Sequence, residues 1–193
     1  MSIRRKAASA ACVICLAAGV GSAQTLSDDA QKIEAQLEAG DFRSALVAAR
    51  DFLGQVWDMA PNLGFSETLL VAEPASGYGI YNPRPTITFT LGESIYVYAE
   101  PYGYGFGNPG DGLFSIGFFV DLQVLAADGS ILGEVPNVAE LDLTSRVRNR
   151  EFQASITYDL SGIEPGSYVL ITSLRDKNSV KSGSFETPIE IVP

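Results

Sequence analysis

From Phe65 onward apolar and polar residues alternate along the chain. The longest such stretch, Phe114-Ser-Ile116-Gly-Phe118-Phe-Val120-Asp-Leu122-Gln-Val124, is apolar at every second place. A period of two sends successive side chains to opposite faces, so each stretch reads as a strand with one face buried. The same alternation places Ile87 and Phe89 among threonines, and Ile95, Val97 and Ala99 against Ser94, Tyr96 and Tyr98. It returns in Phe152, Ala154, Ile156, Tyr158 and Leu160, in Tyr168, Leu170, Thr172 and Leu174, and finally in Phe185, Ile189 and Ile191. Asp128-Gly129, between that longest stretch and the run Ile131-Leu132, is a tight hairpin turn. Seven or eight strands parted by turn residues, with no helical period between them, predict a mainly β fold, an antiparallel sandwich over residues 63–193.

Ahead of it the period is helical. Ser27, Asp28 and Asp29 offer a cap and negative charge at a helix start, followed by a sparse stripe of Ala30, Ile33 and Leu37. After Gly40 and a second capping residue, Asp41, a clearer stripe runs through Phe42, Ala45, Leu46, Ala49, Phe52, Leu53, Val56 and Ala60 until Pro61-Asn62. Residues 24–62 therefore read as an α-helical hairpin. The first 23 residues read differently again. Arg4-Arg5-Lys6, an uncharged run from Ala7 to Val20 and the small residues before Gln24 form a secretory signal peptide, expected to be cleaved after Ala23. The run is too short to span a bilayer, which takes about 18 to 20 residues.

Cleavage at that point would remove 23 of 193 residues, both cysteines (Cys12 and Cys15) and three of the 13 basic residues. A mature chain of 170 residues remains, with 10 basic and 23 acidic residues, a net charge of −13. Without cysteine the fold must rest on burial alone, and a chain of roughly this length buries about 70% of its unfolded surface. The negative field repels nucleic acid and anionic lipid, so neither is expected as a partner, and no membrane insertion is expected after signal cleavage. The expected location is periplasmic or secreted.

Two local patterns resemble known families. Gly40-Asp41-Phe42-x-x-Ala45-Leu46-x-x-Ala49 resembles the turn and second helix of a tetratricopeptide repeat. No second copy follows, so the stacked groove of such repeats is not implied. Leu160-Ser-Gly-Ile163-Glu-Pro165-Gly166-Ser-Tyr168-Val-Leu170 is similar to the entry to the penultimate strand of immunoglobulin-like and fibronectin-type sandwiches. There a corner tyrosine bonds back to the backbone a few residues upstream. Ser173-Leu-Arg175-Asp-Lys177 and Phe185-x-x-Pro188-x-Ile-x-Ile191 are similar to the final hairpin of such domains in bacterial exported proteins. The resemblance spans about Tyr81 to Val192 and implies a fold without implying an activity.

The chain contains no histidine, and no cysteine follows Cys15. Ser-His-Asp and Cys-His catalysis and histidine-bearing zinc sites are thereby excluded. Lys32, Lys177 and Lys181, the lysines after the signal peptide, stand in no Ser-x-x-Lys pattern. No catalytic residue, metal ligand or cofactor is assigned. The oxygen-rich turns Asn108 to Asp111 and Asp128-Gly129-Ser130 offer fewer oxygens than the six to eight that calcium takes.

Two groups remain as binding candidates. Tyr102, Tyr104 and Phe106 alternate with glycines and would point one way in an extended chain, a ledge for a sugar or a protein. Their plainer reading is that the rings close the end of the sandwich. Arg146, Arg148 and Arg150 would share one face and hold a carboxylate or sulfate. Their plainer reading is pairing with Glu140, Asp142 or Asp159 across strands. The expected function is an exported, non-enzymatic binding or accessory module that recognises a protein partner of the cell envelope. A carbohydrate-binding module using the aromatic loop is the alternative, and a hydrolase working through two carboxylates a more distant one.

Overall fold

The computed structural model describes residues 20–193, with side chains from Thr25 onward. The basic start and most of the expected signal peptide lie outside the described residues. The chain divides into two compact units, Met1–Gln55 and Val56–Pro193.

The first unit is built on helices α1 (Val20–Glu38) and α2 (Phe42–Asp58), although the last turn of α2 belongs to the second unit. Gly40 takes a left-handed conformation between them, with φ at +75°, as a helix-ending glycine does. Asp41 then caps α2, its Oδ1 accepting a hydrogen bond from the Ser44 N–H at 3.1 Å. The other expected cap is corrected. Helix α1 is already under way before Ser27, because no proline interrupts the residues ahead of it, so Ser27 to Asp29 lie within the helix. Asp29 there accepts a hydrogen bond from Gln55 Nε2 at 2.7 Å. On α2 Ala45 is buried, while Phe42 and Leu46 are exposed. Among the described residues no helix is long and apolar enough to cross a membrane.

Nine strands follow in the described residues: β1 (Gly64–Val71), β2 (Thr88–Thr90), β3 (Ile95–Tyr102), β4 (Gly107–Gly110), β5 (Leu113–Ala126), β6 (Ile131–Ser145), β7 (Ala154–Tyr158), β8 (Gly166–Asp176) and β9 (Ser182–Val192). The nine strands exceed the expected seven or eight because β1, whose register slips between Phe65 and Thr68, and the four-residue β4 show no clear alternation. They form a three-stranded sheet, β1-β3-β7, and a six-stranded sheet, β2-β9-β8-β5-β4, with β6 along β5. Every pair is antiparallel except β2 with β9, where Thr88 to Thr90 run parallel to Glu190 to Val192.

Both sheets turn their alternating apolar residues onto one core. Val97, Ala99, Ala154 and Ile156 come from the small sheet, and Phe118, Val120, Leu170 and Ile189 from the large one. The polar Thr172 sits in the same layer, fully buried, and shares a hydrogen bond of 2.8 Å with the Tyr158 hydroxyl from the facing sheet. Burial pushes the Tyr158 pKa up to about 12, so the phenol stays neutral and available for that bond.

Candidate functional site

The aromatic–glycine loop does not form a ledge. Tyr102 ends β3 and remains 46% exposed, but Gly103 turns the chain with φ at +81° and Tyr104 dives into the core, with no exposed surface. Alternation fails here because a left-handed residue breaks the extended geometry on which it depends. The Tyr104 ring meets Trp57 edge-on at 4.9 Å between centroids, Phe106 at 5.5 Å, Phe118 at 5.6 Å and Phe152 at 6.2 Å. Its hydroxyl donates to the Asn149 carbonyl at 3.0 Å, and its carbonyl accepts from Trp57 Nε1 at 2.8 Å. Burial raises its pKa well above the usual phenol value. The placement of Tyr102, Tyr104 and Phe106 as one exposed row is therefore corrected: Tyr104 fills the core and Phe106 packs against it.

The final hairpin fixes this loop. Asp176, nearly buried, accepts hydrogen bonds from the Gly105 N–H at 2.6 Å, from Ser179 Oγ and from the Asn178 N–H at 2.9 Å. Lys181 Nζ donates to the Gly103 carbonyl at 2.7 Å. Gly107 passes so close to Ser115 and Asn178 that a β-carbon there would overlap both.

The arginines also depart from expectation. Glu140 and Asp142 are both taken by Lys177 Nζ at 2.8 Å, and Asp159 accepts from Ser94 Oγ at 2.6 Å. Arg148 instead lies over Phe106 and Phe114, 5.7 and 5.4 Å from the ring centroids, and Arg150 lies 5.9 Å from the ring of Trp57. Rings that touch Tyr104 thus gather Arg148 and Arg150 onto one aromatic cluster. Arg146 is exposed and joins no ring. The Nε of Arg150 is enclosed without a hydrogen-bond partner.

A third feature has no counterpart in the sequence reading. An open cleft of about 860 Å³ lies at the other end of β5 and β8, lined by Val124, Leu132, Val135, Leu160, Ile163 and Tyr168. Its origin is a mismatch of strand lengths. β5, β6 and β8 are 14, 15 and 11 residues long, whereas β7 has five. Val124 pairs with Leu170, and Leu122 with Val135, which puts Val124 and Val135 on the core side of the large sheet. The loop after β7, Asp159 to Glu164, lines that end. The Tyr168 hydroxyl braces this loop by donating to the Glu164 carbonyl at 2.7 Å, the bond that the corner-tyrosine resemblance implies. Asp159 and Glu164, the carboxylates on its lining, come from this same loop rather than from facing walls. The available signal was Ile131-Leu132: two consecutive apolar residues straight after a hairpin turn cannot both face a core.

β6 forms one side of the cleft and bulges at its middle. Val120 pairs with Ala139 and Leu122 with Val135, so β6 carries two more residues than β5 over that span. Asn137 takes φ of +52° there, its N–H donating to Asp121 Oδ1 at 2.8 Å. Arg175 clamps the bulge, with Nε on Asp121 Oδ2 at 2.7 Å and a second nitrogen on Asn137 Oδ1 at 2.5 Å. The Arg175 bond holds the Asp121 carboxyl below its usual pKa. Among the described residues no group of His, Cys, Asp and Glu is arranged to hold a metal ion. No protein-family model matches the chain, and no curated protein matches it.

Proposed function

We propose that the mature chain is an exported, non-enzymatic binding module of immunoglobulin-like build, which takes an extended segment of an envelope protein at the open end of its sandwich. The observation that carries this reading is the cleft beside β6. Leu132 and Val135 are about half exposed on its rim, as are Ile131 and, to a lesser degree, Val138 nearby. An apolar surface of this kind, bounded by polar residues, is characteristic of an interaction site. β6 is also an edge strand, since β5 is its only partner among the described residues, and free edges are used to add a partner's strand.

The immunoglobulin-like assignment is supported by the corner bond of Tyr168. It is also supported by the strand plan, in which β1 joins the small sheet and β2 crosses to lie parallel to the last strand. The export assignment rests on the N-terminal sequence pattern. The carbohydrate alternative loses its platform with Tyr104 in the core, and the hydrolase alternative finds no facing carboxylates in the cleft. Co-purification of the tagged mature protein from the envelope tests the reading. Leu132→Glu should abolish capture of the partner and leave thermal unfolding unchanged, because the side chain is exposed. Capture that survives Leu132→Glu and Val135→Glu together excludes the cleft.

A further inference from the structure

We infer that Arg148 and Arg150, set on the Trp57–Tyr104–Phe106 rings, form a second binding site whose ligand is a carboxylate pair on an acidic peptide. The inference is independent of the cleft. The chain has 23 acidic residues against 13 basic ones, so carboxylates are plentiful, yet none among the described residues pairs with Arg146, Arg148 or Arg150. Arg175 and Arg84 each hold one, and Lys177 holds two.

Their scaffold is rigid. The Tyr104 hydroxyl grips the Asn149 carbonyl between the two arginines, and the Asn149 side chain accepts from the Glu151 N–H at 3.1 Å. A guanidinium lying over a ring engages its face, which leaves the N–H groups around its edge free for the two oxygens of a carboxylate. Both guanidinium groups thus rest against rings before a ligand arrives, which lowers the entropy lost on binding. Arg150, half-buried with its Nε enclosed, is partly stripped of water and gains most from a counter-charge.

The ligand class follows from charge and from the rings. A net charge of −10 over all 193 residues, and more negative still without Arg4, Arg5 and Lys6, repels a dense polyanion such as nucleic acid or a sulfated glycan along its whole length, whereas a short acidic peptide presents only a few charges. Sugar stacking is disfavoured because the ring faces of Phe106 and Trp57 already carry guanidinium groups.

Trp57 is the sole tryptophan of the chain and lies beneath Arg150, so its fluorescence reports on this site directly. Titration with a tri-glutamate peptide should give a saturable change, with trilysine and inorganic sulfate giving none. Arg148→Ala should weaken binding about tenfold or more, as loss of a charge-assisted pair does, and Arg148→Lys should not restore it. Arg148 is exposed, so both variants should melt as the wild type does. Absence of a saturable change, equal affinity in Arg148→Ala, recovery in Arg148→Lys, or equal binding of sulfate would each overturn the proposal.

Discussion

Tyr104 and Tyr168 each donate a hydroxyl to a backbone carbonyl, but from opposite surroundings, and substitution should tell them apart. Tyr168 bonds four residues back on an exposed loop, so Tyr168→Phe should cost about 0.5–1.5 kcal/mol in equilibrium urea unfolding. Unfolding indistinguishable from wild type would deprive the corner of its stabilising role. Tyr104→Ala should cost about 3–5 kcal/mol, as truncated buried aromatics do, while Tyr104→Phe keeps the ring and should lose only about 1 kcal/mol. A small loss in Tyr104→Ala would mean that the ring is not part of the core. The two tyrosines were unequally legible in sequence for a physical reason. The partner of Tyr168 lies within the same local motif, whereas Tyr104 binds Trp57 and Asn149 from 47 and 45 residues away. Local spacing carries no trace of such contacts, and a single left-handed glycine was enough to send Tyr104 inward. The arginines illustrate the same limit: nearby acids were visible as partners, but Lys177 had already taken two of them.

Among the elements, β5, β8 and β9 could be read directly, because each is long enough to show its alternation and has one face in the core. β4 could not, since four residues establish no period, and β1 could not, since its register slips between Phe65 and Thr68. β6 was read only at Ile131-Leu132: the bulge around Asn137 breaks its period, and the alternation of Ala139, Leu141 and Leu143 beyond it went unread. That bulge is a specific structural device. Asn137→Gly and Asn137→Ala both remove the acceptor of the Arg175 hydrogen bond, but only alanine is also strained by the positive φ, so Asn137→Ala should be the less stable of the two by roughly 1–2 kcal/mol in urea. Equal midpoints for the two variants would show that the left-handed backbone does not set the register of β6. Extra residues and Pro136 also twist and interrupt an otherwise long free edge, which limits uncontrolled strand addition along it.

For the whole molecule, the absence of histidine makes the pH response simple. Apart from the chain's amino terminus, Cys12 and Cys15, no group has an ordinary pKa between about 5 and 9. Asp121 and Glu93 have lowered pKa values, through Arg175 for Asp121 and through the Thr90 N–H first for Glu93. Their contribution is therefore present above the ordinary carboxylate pKa of about 4 and is lost as pH falls through their folded values. Tyr104 and Tyr158 are raised by burial, so what they contribute is present below about pH 10 and is lost as pH rises through their folded values. Thermal unfolding of the mature chain should accordingly give a plateau with a fall on either side, and a step near pH 6.5 would contradict this account. The parallel pairing of β2 with β9 has a further consequence, which concerns time. Thr88 and Glu190, joined side chain to side chain, stand 102 residues apart, so the large sheet cannot close until residues 190–192 have emerged. A polypeptide threaded N-terminus first through a narrow channel would thus remain an open, unlatched chain until those residues had passed. It would shut only on the far side, and a version lacking residues 190–193 should arrive there but stay sensitive to protease.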